Sequence, residues 1–380
     1  MSGSGHLYLP SAEPQALRDA LASLRVGPDE MLGVLVGEQG APDLEEIVAT
    51  LASTPLSFFG GLFPSLIDGQ ERHDSGILLF TLPKVTEPML VRGLDTGRFQ
   101  IPDLLPCVQG PARAKPTALV LVDGLAPNIP LFLEAIYHQL GNRVSYWGGG
   151  AGSLTLKARP CVFTREGVHQ GAAVVALSPW PARLGVRHGW RELKGPFVAT
   201  RSNRNVIVQL NWRNAFELYQ AAVEADAGVR ITPDNFFRVA SGYPFGIRKE
   251  GQEVVVRDPV AVGEGGTLIC VGDVPENAVL SILKGEPERL VGAAGQAARE
   301  AASPLPLKVR HCLLADCVSR VLFLEDRFPE ELVAIDQELR GMANGNKPLG
   351  MLTLGEISSQ GEGYLEFFNK TSVVAVMHEP

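Results

Sequence analysis

Long apolar runs are missing from this sequence: no stretch of about 18 apolar residues occurs, so nothing in it reads as a helix spanning a bilayer. A basic excess is missing as well. With 34 Lys and Arg against 42 Asp and Glu, the net charge of -8 argues against nucleic acid and anionic membranes as partners, since both reward basic patches. Cysteine is sparse: five residues scattered through 380, an odd number that builds no disulfide framework. The opening Met1-Ser2-Gly3-Ser4-Gly5-His6 lacks the basic and apolar regions of a secretion signal and reads as unstructured. A cytoplasmic location is expected.

The common catalytic and cofactor signatures are also absent. No Gly-Lys-Ser/Thr closes a Walker loop, and no G-x-G-x-x-G opens a helix onto a pyrophosphate. There is no C-x-x-C and no H-E-x-x-H, and His311 and Cys312 are adjacent rather than spaced as ligands. No G-x-S-x-G elbow occurs, which excludes an α/β-hydrolase. Neither a metal nor a cofactor is expected.

What the sequence does have is a three-fold echo. Ser57 to Ser65, Ser145 to Ser153 and Leu349 to Ile357 each carry an apolar run marked by glycine, read as a strand entering a turn and a strand pair. In the second copy, Thr117 to Val122 is continuously apolar and rich in β-branched residues, as a strand buried on both faces would be. Pro130 to Leu140 then places Leu131, Phe132, Ala135, Ile136 and Leu140 at helical spacing, stopped by Gly141-Asn142. Val144 to Trp147 is the next strand. The first copy repeats this with Met31 to Val36, Asp43 to Leu51 and Leu56 to Phe59; the third does so with His311 to Ala315, Pro329 to Gly341 and Gly350 to Leu354. An apolar strand follows each copy, at Ile77 to Leu82, Ala172 to Leu177 and Thr371 to Met377. A strand, a helix and a strand imply a right-handed crossover with parallel pairing, and the following hairpin adds antiparallel strands. The expected class is mixed α/β, with layered sheets and helices outside.

At 380 residues the chain exceeds what one core usually supports, and its 45% apolar and 20% charged residues suffice for full cores. The expected division is residues 1–215, with two repeat units, and residues 216–380, with one clear unit. Helices are expected over Trp212 to Asp226, with Asn214 as cap and Gly228 beyond its end, and over Pro287 to Ala302. Arg248 to Val271 reads as a strand pair or two, and Cys161 and Cys270 sit in apolar runs that should bury them and raise their pKa.

Three places could carry chemistry. The cluster Gly148, Gly149, Gly150 and Gly152 with Ser153 is either a tight strand-to-strand turn leading into a strand at Ser153 to Lys157, or a backbone cradle for a small ligand. Asp316, Cys317 and Arg320 stand at the carboxyl end of an expected buried strand; the thiol is either core or part of an active-site cluster. Glu356, after Gly355, is either a turn residue facing solvent or the acceptor of a ligand ammonium.

Together the segment Phe59 to Pro83, Val122-Asp123-Gly124, Gly148 to Gly152, Asp316 to Arg320, Gly350 to Ile357 and Asn369-Lys370-Thr371 resemble a FIST protein, from about residue 30 to the end. The resemblance implies an N-terminal and a C-terminal FIST domain, and a small-ligand sensory module of bacterial signalling with amino acids as suspected ligands. Such domains are often fused to kinase, cyclase or chemoreceptor modules, and eukaryotic relatives carry an F-box. This chain leaves no room for such a module, so output through a separate signalling protein is expected. Asp123, Gly148, Gly149, Gly150, Gly152, Ser153, Asp316, Cys317, Arg320, Gly355 and Glu356 are the residues this reading places near a zwitterionic ligand between the domains. The alternative is an enzyme acting on a small polar metabolite through Cys317 or a carboxylate.

Overall fold

The computed structural model describes all residues except 1–4, 25, 109–114, 250–253, 304–307, 343–345 and 360–363. The expected unstructured opening falls largely outside the described residues. His6–Leu9, however, forms a strand antiparallel to Ile77–Pro83.

Each unit is built on a strand, a helix and a second strand. In unit one these are Glu30–Gly37, Leu44–Ala52 and Ser57–Phe63. In unit two they are Thr117–Asp123, Ile129–Leu140 and Ser145–Ala151. Unit three has Val309–Cys317, the helices Val318–Leu324 and Phe328–Met342, then Pro348–Thr353. Local signals fix the helices. Asp43 caps the first by accepting from Glu45 N, with Glu45 and Glu46 in the favourable first turn. In unit two, Phe132, Leu133, Ile136 and Leu140 face the core, and Gly141 ends the helix at φ +50°. Leu131 is 47% exposed, because it lies off that stripe.

The two strands of every unit pair in parallel. The closing strands Ile77–Pro83, Ala172–Ser178 and Ser372–His378 lie antiparallel on the other side of the first strand. The intervening hairpins do not return to their own sheets. The hairpin of unit two begins with Val162–Thr164, which pairs with Ser57–Phe63 of unit one. That of unit three begins with Glu356–Ser359, which pairs with Ser145–Ala151 of unit two. That of unit one begins with Leu66–Asp68, which pairs with Pro348–Thr353 of unit three. Three six-stranded sheets are thus laced into a cycle, each completed by a neighbour.

The glycines of the echo belong to this lacing, and their expected role as a turn is corrected. Gly148, Gly149 and Gly150 lie inside the strand Ser145–Ala151. Gly60, Gly148 and Gly350 occupy equivalent registers opposite Val34, Val120 and Leu314. A Cβ there would stand 2.1, 1.8 and 1.8 Å from the carbonyl oxygens of those same three residues. Side chains are excluded by backbone contact, not by φ. Nor do Ser153 to Lys157 form a strand; turn and irregular backbone follow Gly152.

An eight-stranded fourth sheet interrupts unit three between its leading strand Ala182–Arg187 and the helix Pro287–Ala302. Its strands come from both sides of residue 215: Arg191–Val198 pairs with Val279–Lys284, and Val206–Leu210 with Leu268–Val271. The helix Ala215–Ala227 starts after Trp212, capped by Asn214 and ended by Gly228 at φ +66°. Cys161 and Cys270 are buried, and burial pushes both thiols up.

Candidate functional site

The residues singled out from the sequence divide into two groups. Asp123 closes a local loop by accepting from Leu125 N at 3.1 Å and Gly171 N at 2.8 Å. Gly152, at φ +146°, donates its N–H to Leu62 O, and Ser153 Oγ bonds Glu38, so this end of unit two is tied to unit one. The second group is contiguous. Gly149 pairs with Glu356, Gly150 N donates to Gly355 O at 2.7 Å, and Gly355 turns at φ +120° into the strand Glu356–Ser359.

Below that turn, Asp316, Cys317, Arg320 and Glu356 meet in one buried cluster. Arg320 is fully buried, and its five N–H donors are all used: two on the Glu331 carboxylate at 2.8 and 2.7 Å, the others on the carbonyls of His188, Lys370 and Leu290. No donor remains for a ligand. Asp316 accepts from Ser372 Oγ at 2.8 Å, and burial beside Glu331 holds its carboxyl well above the usual range. Cys317 is 4% exposed with its Sγ 2.9 Å from Ser319 Oγ, and burial together with Glu356 pushes the thiol up. A protonated buried thiol is a poor nucleophile.

Glu356 is fully buried, and burial raises its pKa to about 8. Thr353 Oγ1 lies 2.6 Å from Glu356 Oε1 and 3.2 Å from the main-chain oxygen of Asp316. Thr353 Oγ1 donates to Glu356 Oε1, which tempers the rise that burial imposes. Oε2 meanwhile accepts from Thr371 N at 3.2 Å.

A groove of about 740 Å³ opens one strand away. It is lined by Tyr137 and His138 from the helix of unit two, by Arg257 of the fourth sheet and Lys249 just beyond its strand Phe245–Ile247, and by Tyr364 and Glu366. The Tyr137 and Tyr364 rings stand 5.5 Å apart. Lys249 pairs with Glu366, and burial near Arg257 lowers its pKa to about 8. Arg257 binds the backbone around this groove, through Asp273 O at 2.9 Å, Val256 O at 3.0 Å and Phe367 O at 3.2 Å. Groove and cluster share one segment: Phe367 and Asn369 touch Arg257, while Lys370 and Thr371 touch Arg320 and Glu356.

Comparison with protein families matches a FIST N domain to residues 6–213 and a FIST C domain to residues 215–359. The chain belongs to the FIST family. FIST domains are sensory domains of signal transduction. No curated protein matches the chain. Among the described residues, no helix is long and apolar enough to cross a membrane. Tyr137 and His138 of the groove fall within the FIST N match, Lys249 and Arg257 within the FIST C match, and Tyr364 and Glu366 follow it. Sequence reasoning missed all six. The available signal was Arg257-Asp258 set in the apolar run that begins at Val254, a charge pair where a buried strand expects none.

The proton on Glu356 leads to an expected result for this FIST protein. Its folded pKa lies above the unfolded value near 4.5, so the folded chain binds more protons between about 4.5 and about 8, and stability falls as pH rises through that window. Glu356→Gln reproduces the protonated carboxyl's donor and acceptor. Urea unfolding of the variant at a series of pH values should show a shallower decline than the parent's on the alkaline side. Equal slopes for both proteins would mean that Glu356 is ionised in the fold.

Proposed function

We propose that this FIST protein is a sensor without catalysis, which binds an amino-acid-like ligand in the groove between its FIST N and C domains. A separate signalling protein then reads the change. The observation that carries this reading is the groove itself: about 740 Å³, at a domain junction, with two tyrosine rings and a few convergent charges. Ligand sites favour such junctions, and such a mixture of apolar wall and placed polar groups. The segment from Phe367 to Thr371 supports a route outward, since a ligand that shifts it also loads the buried cluster behind it. Asp316, Cys317, Arg320 and Glu356 then serve as the stiff backing of the site rather than its ligand contacts.

A thermal-shift screen of the amino acids, followed by calorimetry on any hit and a parallel turnover assay, tests the proposal. A hit without turnover, weakened about 5-fold or more by Tyr364→Ala, is expected; loss of one aromatic contact costs about 1 kcal/mol. Tyr364 is 68% exposed, so its replacement leaves the core intact. A ligand that binds the Tyr364→Ala and Tyr137→Ala variants as tightly as the parent would place the site elsewhere. Turnover that disappears in Cys317→Ser would revive the enzyme reading.

A further inference from the structure

Arg257 is 7% exposed, yet among the described residues no carboxylate lies within ion-pairing distance of it; Asp273, which lines the same groove, acts on it only from farther away. The contrast with Arg320, clamped on Glu331, is direct. A buried guanidinium without a counter-ion is costly, and proteins normally supply one. Its Nε and Nη1 are spent on backbone carbonyls and Asn369, which fix the plane of the fork. Among the described residues, no hydrogen bond reaches its Nη2. The same residue lines the groove. Burial lowers its pKa to about 10, so it stays charged at neutral pH.

We infer that Arg257 is the anion anchor of the groove, taking the carboxylate of an organic acid whose apolar or aromatic body lies against Tyr137 and Tyr364. This rests on the groove being the ligand site and adds which end of the ligand is read, and by what. The fixed fork supplies a charge-assisted bond from a largely buried side chain, and a carboxylate is the planar acceptor that suits it. Leu133 and Ile247 also line the groove, so an apolar body has more than the two tyrosine rings to lie against. Lys249 is a weaker candidate anchor, because Glu366 already neutralises it.

The test uses 3-phenylpropanoate and its uncharged amide as probes, with Kd measured by calorimetry on the full chain at pH 7. The acid should bind at least about 10-fold tighter than the amide, the worth of one charge-assisted hydrogen bond. Arg257→Lys, which keeps the charge but loses the fork, should weaken that preference, and Tyr364→Ala should weaken both probes alike. The acid–amide comparison needs no variant, so it decides the matter even if Arg257→Lys fails to fold. Equal binding of acid and amide, both weakened by Tyr364→Ala, overturns the anchor and keeps the groove. Binding of both probes untouched by Tyr364→Ala overturns the groove as well. Failure of the acid to bind at millimolar concentration overturns the anchor, leaving the groove to the amino-acid screen.

Discussion

Gly350→Ala is expected to be among the most damaging single-methyl changes in this protein. The added Cβ would lie 1.8 Å from Leu314 O and 2.7 Å from its carbonyl carbon, both backbone atoms of the adjacent parallel strand. No rotamer relieves such a contact; the strands must part, and with them the pairing of Pro348–Thr353 with Leu66–Asp68. Overpacking in a closed core costs about 1–3 kcal/mol even where side chains can yield, and backbone cannot, so the loss should exceed about 3 kcal/mol. Gly148→Ala should behave alike, since its Cβ meets Val120 O at the same 1.8 Å. Gly292→Ala is the control. It sits inside the helix Pro287–Ala302 with nothing within 4 Å of its Cβ, and should gain up to about 1 kcal/mol from helix propensity. Melting curves of the three variants check this. Similar Tm values for Gly350→Ala and the parent would mean the sheets are not packed as described.

Glu331→Gln should cost nearly as much, for an electrostatic reason. Glu331 and Arg320 are both fully buried, joined by two hydrogen bonds of 2.8 and 2.7 Å. Removing one charge leaves Arg320 with Asp316, 3.4 Å away, as its remaining acid, so the cost reaches at most about 3–5 kcal/mol. For a chain of 380 residues that is a fall of about 4–6 °C in Tm. Replacing both partners, Arg320→Met with Glu331→Leu, removes that buried charge and should recover part of the loss. Recovery stays incomplete, because the carbonyls of His188, Lys370 and Leu290 lose their donor, at about 1 kcal/mol or more each. Urea midpoints for the parent, the single and the double variant give the comparison. A double variant less stable than Glu331→Gln would show that the three carbonyl bonds outweigh the ion pair.

Strand, helix and strand in each unit were legible because their signals are local. Thr117 to Val122 is apolar without interruption, Asp43 and Asn214 cap, and Gly141 and Gly228 stop their helices. Parallel pairing followed, since a helix between two strands leaves room for little else. Asp316, Cys317, Arg320 and Glu356 all lie at or just beyond the carboxyl ends of the two parallel strands of unit three, so the strand pairing brings them together. What those residues do there was not legible, since burial depends on what covers them; Arg320 reads alike in sequence whether its fork meets Glu331 or a ligand.

Tertiary structure alone decided the rest. The alternation of a strand names the face it buries but not the strand it pairs with, so nothing local sends the Val162–Thr164 hairpin strand to unit one instead of unit two. The echo glycines read as a turn because glycine most often serves φ > 0, whereas Gly60, Gly148 and Gly350 answer to a carbonyl oxygen across the sheet. The groove brings Tyr137, Arg257 and Tyr364 together from distant parts of the chain. Sequence determined the repeated unit, the class and the family, because these rest on short-range pattern. The lacing of the units, the closed cluster and the open groove rest on which surfaces meet, and only folding brings those surfaces together.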